Sequence, residues 1–103
     1  MKVYTILYMI QDEYDGSVDL KKLGCFANKE NATKHAKLAF SMICRRYASE
    51  INEYSNYKKY PEECDGALYM ETDDENGYYC VAFGRLERRE THIVSTEEWE
   101  VDE

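Results

Sequence analysis

A chain of 103 residues, of which 44% are hydrophobic, suffices for one domain with its own core, and it is too apolar to be a disordered acidic chain. Its net charge of −8 is unevenly divided: residues 1–51 hold eight Lys or Arg against six Asp or Glu, and residues 52–103 hold five against fifteen. An acidic second half repels phosphates. We therefore expect a single domain over residues 1–103 that does not bind nucleic acid directly.

The chain begins in a short apolar run. This run is too short for a membrane span and lacks the flanks of a signal peptide, so we expect a cytoplasmic protein without membrane contact. In that compartment thiols stay reduced. Four cysteines are then expected to be free: Cys25, Cys44, Cys64 and Cys80.

The first two elements are predicted to form a β-hairpin. Residues 3–10 are nearly all apolar, as in a strand covered on both sides. Residues 11–17 contain an Asp-Gly pair that favours a turn, and residues 18–26 are predicted to be the returning strand. Because the apolar phase of this second strand changes across Lys21 and Lys22, we expect a β-bulge or a local twist there.

A helix is predicted to follow, with Asn28 as its N-cap. Apolar residues recur at spacings of three and four, which places them on one stripe. The members of this stripe are Ala32, Ala36, Ala39, Phe40, Ile43, Tyr47 and Ile51. The pattern predicts one long amphipathic helix that packs across the sheet.

The remaining chain alternates strands and turns. A segment rich in Tyr and charge, up to residue 66, is followed by predicted strands at 67–72 and 78–86 around an acidic Asn-Gly turn. A further strand is predicted at 90–96, with Trp99 and Val101 docking a short final segment. The expected fold is α+β: an antiparallel sheet of four to five strands in the order β-β-α-β-β-(β), packed by one long helix.

The stretch from Leu23 to Ala32, with the strand before it, resembles a pattern in small β-β-α-β-β domain proteins of uncharacterised function. In those proteins a hairpin ends in Gly-x-Phe, here Gly24 to Phe26, and a polar cap then starts an Ala-rich helix. The resemblance implies the same fold for the first half of the chain. It carries over no active residues.

Catalytic and metal-binding patterns are weak. Successive cysteines are 19, 20 and 16 positions apart without a Cys-x-x-Cys pair, which argues against zinc, and His35 and Cys44 lie out of register on the helix. Cys80 and His92 are on neighbouring predicted strands, but nothing local marks either as activated. Phosphate-binding loops are absent. We expect no enzyme activity, no cofactor and no metal site.

Charge and tyrosine content favour protein binding. Our leading hypothesis is a small acidic module, an inhibitor or adaptor, that docks to a basic surface of another protein. The residues expected to carry this contact are acidic or aromatic: Tyr54, Tyr57, Tyr60, Glu71, Asp73, Asp74, Glu75, Glu97, Glu98 and Trp99.

Two alternatives stay open. One is a small-ligand or nucleotide-sensing domain whose pocket lies between helix and sheet and is lined by Tyr8, Phe40, Tyr47 and Tyr79. The other is a homodimer, because residues 3–10 have two apolar faces and one helix covers only one side of a sheet.

Overall fold

The computed structural model describes residues 1–55, 66–85 and 88–102. The element order is β1 (Lys2–Asp12), β2 (Val18–Phe26), α1 (Lys29–Arg46), α2 (Ala48–Tyr54), β3 (Gly66–Asp73), β4 (Tyr78–Arg85) and β5 (Glu90–Glu100). The five strands form one antiparallel sheet in the spatial order β2-β1-β5-β4-β3. The predicted α+β class and the five-stranded antiparallel sheet are confirmed. No helix in the described ranges is long and apolar enough to cross a membrane.

The central pairing joins the first strand to the last. β1 and β5 are paired along eleven residues, from Lys2 opposite Glu100 to Asp12 opposite Glu90. The prediction of a strand limited to 90–96 and a separate final segment is therefore wrong, because β5 continues past Trp99 to match the full length of β1. The β1–β5 pair lies at the centre of the sheet and joins the β1–β2 hairpin to the β3–β4 hairpin.

The expected bulge in β2 is confirmed. Ile6 lies opposite Gly24 and Leu7 lies opposite Lys22, so that Leu23 has no partner on β1. A bulge places two residues of one strand opposite a single residue of the other strand, and this changes which residues beyond it point to a given face of the sheet. Its consequence here is that Leu23 faces α1 while Lys22 and Cys25 face the opposite side.

The predicted single helix is two helices, of 18 and 7 residues. Asn28 is the N-cap, as expected, and its side chain accepts from the amide of Asn31 at 3.2 Å. Tyr47 leaves the helical conformation at φ −104° and ψ 24°. Because its ring packs on Phe83 and His92, the chain bends there, and α2 then contacts β3 and β4. A straight helix would not have placed Ile51 against that half of the sheet.

The core lies between the helices and one face of the sheet. Nine side chains form its buried cluster: Ile6, Ala36, Phe40, Ile43, Leu68, Tyr79, Val81, Phe83 and Val94. Ala32 and Ala36 are completely buried, so the start of α1 approaches the strands closely, whereas the larger side chains further along fill the wider space. All the strand residues in the cluster point to the helix side.

Candidate functional site

The face of the sheet that points away from α1 and α2 is called the open face. Side chains point alternately to the two faces along a strand. The strand register therefore shows which residues lie side by side on the open face, in rows that cross the sheet from β2 to β3. The first row is Val18, Gln11, Thr91, Ala82 and Tyr69; the second is Leu20, Met9, Ile93, Cys80 and Glu71; the third is Lys22, Leu7 and Ser95, continued by Tyr78 and Asp73. No described helix covers this face.

Part of the open face is apolar and accessible to solvent. Val18 and Leu20 are each 59% exposed, and Trp99 is 55% exposed. Trp99 also lines an open groove of about 520 Å³ together with the apolar Val3 and Leu7 and the charged Lys22. An aromatic side chain beside an apolar depression is the usual form of a contact anchor in protein interfaces.

Acidic residues lie at the end of the sheet formed by the β3–β4 turn and the adjoining part of β5, which we call the acidic end: Asp73, Asp74, Glu75 and Glu97. Asp73 and Glu97 are open-face positions, whereas Asp74 faces the helix side, where it accepts from the hydroxyl of Tyr79 at 2.9 Å. The turn between β3 and β4 is held beside β5, because the hydroxyl of Thr96 donates to the carbonyl of Gly77 at 3.1 Å. The turn itself is tied together by Asp73, which accepts from the amide and the side chain of Asn76 at 3.2 and 2.8 Å. These hydrogen bonds hold the pKa of Asp73 below its ordinary value.

Some acids near this end have basic partners. Lys37 of α1 lies 3.4 Å from Asp74, and Lys2 lies 3.8 Å from Glu98. Glu75 and Glu97 have no basic group within 4 Å in the part of the chain that the structure describes. Solvent-exposed pairs of this kind contribute little to stability. They offset part of the negative charge of Asp74 and Glu98 and leave that of Glu75 and Glu97.

The predicted contact residues divide between the two sides of the sheet. Glu71, Asp73, Glu97 and Trp99 occupy open-face positions. Asp74 faces the helix side instead, where it contacts Tyr79 and Lys37, and Glu75 is exposed in the β3–β4 turn. Glu98 points to the helix side. Tyr54, on α2, packs against the core instead of the open face. Tyr57 and Tyr60 lie outside the described residues.

Three polar side chains on the helix side, Tyr8, His92 and Glu90, are linked by hydrogen bonds. His92 is completely buried. Its Nδ1 is 2.6 Å from the hydroxyl of Tyr8, and its Nε2 is 3.1 Å from a carboxylate oxygen of Glu90. An ionised carboxylate only accepts, so Nε2 carries the proton and Nδ1 accepts from Tyr8. Phe83 and Tyr47 flank the imidazole ring.

Burial shifts the pKa of two of these three groups, His92 and Tyr8. It lowers the pKa of His92, against the opposing effect of the Glu90 carboxylate, and Arg46 lowers it further. Burial also raises the pKa of Tyr8 to about 12. At neutral pH the imidazole and the phenol are therefore both uncharged, and they are hydrogen-bonded to each other and, through Nε2, to the partly exposed carboxylate of Glu90.

The buried imidazole predicts a loss of stability in mild acid. With its pKa lowered on folding, His92 binds fewer protons in the folded than in the unfolded state, so stability falls as pH falls below the ordinary histidine value of about 6.5. Between pH 7 and pH 5 we expect a loss of about 1–2 kcal/mol from this group. Urea unfolding of the wild type and of His92→Gln at both pH values measures it. Equal pH dependence in the two proteins would contradict the buried neutral imidazole.

Cys80 and His92 do not form a catalytic pair. Cys80 is opposite Ile93, whereas His92 is opposite Val81, which puts the thiol and the imidazole on different faces of the sheet. Burial also raises the pKa of the Cys80 and Cys44 thiols, so neither is an activated nucleophile. Cys25, Cys44 and Cys80 are free thiols, and Cys64 lies outside the described residues. Within the described ranges no three metal-ligating side chains converge.

Of the four aromatic residues expected to line a ligand pocket, Phe40, Tyr47 and Tyr79 pack against neighbouring aromatic rings. Phe40 and Tyr79 stack with ring centroids 5.4 Å apart, and both are buried. Tyr47 fills the space beside His92. Tyr8 lines an open cleft between α1 and the β1–β2 hairpin.

Sequence reasoning missed the Tyr8–His92–Glu90 chain. Glu90 and His92 are two positions apart on one strand, a spacing that places both on one face. The partner, Tyr8, is 84 positions from His92 in sequence. Only the β1–β5 pairing brings it close.

No protein-family model matches this sequence, and the searches of curated proteins and of solved structures find no similar protein.

Proposed function

We propose that this protein is a small binding module that docks to a basic partner protein through its open face and acidic end. The observation that carries the proposal is the position of Trp99, which is 55% exposed beside the unpaired Glu97 and in the lining of the groove. Tryptophan anchors are enriched among the residues that dominate interface energies. Carboxylates around such an anchor select a positively charged partner and accelerate its association.

Charge favours a basic partner over a second copy of the chain. The open face carries Glu71, Asp73 and Glu97 against the single cation Lys22. Two copies packed through this face would therefore juxtapose more like charges than opposite ones, which is unfavourable. A basic surface meets one like charge, Lys22, which lines the same groove as Trp99, and three opposite charges.

The size of the face is compatible with an interface. Strands are about 4.8 Å apart and rise about 3.3 Å per residue, so the open face covers roughly 600 Å². A standard interface takes about 800 Å² from each partner. Cys80 and Ala82 on this face are buried, so the contact would rest on the accessible residues of the face together with those of the acidic end.

The test is a quantitative pull-down from the native host at low and high salt, with identification of what is captured. We expect a basic protein that wild type retains at low salt and loses at high salt. Trp99→Ala should weaken its binding by about 30-fold, the effect of a strong anchor. Glu97→Lys should weaken it by about tenfold, chiefly through slower association.

Glu50→Lys is the matched control, because it makes the same charge change at an exposed position on α2. It should leave binding close to wild type. The proposal fails if no salt-sensitive basic partner is captured, or if the Trp99 and Glu97 variants bind that partner as well as wild type does.

A further inference from the structure

The open cleft on the helix side is a second surface with its own chemistry, and we call it the α1 cleft. It has a volume of about 390 Å³, within the range of small-ligand sites, and it is lined by Tyr8, Leu23, Ala39, Met42, Ile43 and Arg46. Its four helical residues are spaced as one stripe of α1. Leu23 reaches it because of the bulge in β2.

The walls of the α1 cleft are apolar and accessible. Met42 is 67% exposed and Leu23 is 45% exposed, although both contribute large hydrophobic side chains. Leu38, one position from the stripe, is a further exposed apolar residue at 62%. Surface clusters of this kind mark places where an apolar group is bound.

Arg46 supplies the single charge of the lining. Its guanidinium group lies 5.8 Å from the ring of Tyr47, and no carboxylate of a described residue lies within 4 Å of it. Arginine binds a carboxylate through two parallel hydrogen bonds. One guanidinium at one end of an apolar cleft therefore matches a ligand with one anionic head and one apolar tail.

We propose that the α1 cleft binds an amphipathic carboxylic acid, with its carboxylate on Arg46 and its tail against Leu23, Met42 and Ile43. The proposal does not depend on the docking function, since the cleft and the open face lie on opposite sides of the sheet. It narrows the small-ligand alternative to one chemical class. A nucleotide fits less well, because its several phosphate charges would meet a single arginine.

Decanoate is a suitable probe, with decanol as its uncharged counterpart of equal chain length. Methionine labelled with ¹³C at its methyl group gives a local readout by NMR. We expect decanoate to shift the Met42 signal saturably, with a dissociation constant on the order of 0.1–1 mM, as is usual for ligands of this size. The Met9 signal, from the open face, should not move. Decanol should bind at least tenfold more weakly.

Arg46→Gln distinguishes binding through the carboxylate from non-specific hydrophobic binding. In this variant we expect decanoate to bind about tenfold more weakly, so that it no longer exceeds decanol. Arg45→Gln is the matched control on the adjacent helix position, which does not line the cleft, and it should retain the preference. Met42→Glu, at an exposed position, should abolish binding of both probes without unfolding the chain.

Three results would overturn the proposal: a Met42 shift that does not saturate, equal affinity of the wild type for decanoate and decanol, or the same loss in Arg45→Gln as in Arg46→Gln. Failure of the docking proposal would leave all of these measurements unchanged. Conversely, loss of decanoate binding in Arg46→Gln should not alter capture of a basic partner by the open face.

Discussion

Replacing Phe40 with Ala is expected to lower the free energy of unfolding by about 3–5 kcal/mol, the usual cost of removing a buried aromatic side chain. Phe40 is 6% exposed and stacks on Tyr79 at the middle of the core cluster. The substitution removes buried apolar surface, and the stacked Tyr79 on the sheet leaves little room for collapse. Urea unfolding followed by circular dichroism measures the change.

Leu38→Ala is the matched control for this substitution. Leu38 is on the same helix but is 62% exposed, so its loss should change stability by no more than about 0.5 kcal/mol. If both variants lost the same free energy, the burial of Phe40 and the orientation of α1 on the sheet would be wrong.

The second large effect is expected for Gly77→Ala, at the turn that holds the acidic end. Gly77 has φ +64°, a left-handed conformation that costs an L-residue roughly 1–2 kcal/mol. A Cβ atom there would also collide with the side chain of Thr96 and come within 2.8 Å of Thr33 Cγ2. Overpacking of this kind costs about 1–3 kcal/mol, and we expect a total loss of about 2–5 kcal/mol in urea unfolding.

Gly16→Ala separates the two parts of that cost. Gly16 also has a left-handed backbone, with φ +72°, but a Cβ atom there would have no neighbour within 4 Å. It should lose only about 1 kcal/mol, from conformation alone. Equal losses at the two glycines would show that the β3–β4 turn does not press against Thr96 and α1. Because the Thr96–Gly77 hydrogen bond positions the acidic end, Gly77→Ala should also weaken capture of a basic partner.

Local patterns in the sequence predicted the first four strands and the hairpin bulge, and they predicted the start of β5 but not its extension past residue 96. Alternation of apolar residues and the Asp-Gly and Asn-Gly turns depend on neighbours within a few positions, so they can be read without knowing the fold. The helix boundary at Tyr47 could not be predicted in this way. Its apolar spacing continues smoothly to Ile51, and the break depends on contacts that Tyr47 makes with β4 and β5.

For the candidate sites, too, the sequence predicted local features and the tertiary structure decided how they are arranged. Acidic residues of the β3–β4 turn and of β5 were identified from charge alone, but their approach to one another depends on Thr96 reaching Gly77. The α1 cleft was not predicted, because it needs Leu23 to be turned towards the helix by the bulge. Tyr54 was placed in the contact surface on composition and lies against the core instead.

The amino-acid sequence by itself determined the class of this protein: one acidic chain with strand and helix periodicities that specify an α+β sheet protein, since periodicity and charge are local properties. The tertiary structure alone decided which residues meet. Pairing of β1 with β5 brings Tyr8 to His92 and Trp99 to Val3, across separations of 84 and 96 positions. Such contacts form because the whole sheet buries one face against two helices, and no local pattern records which face remains open.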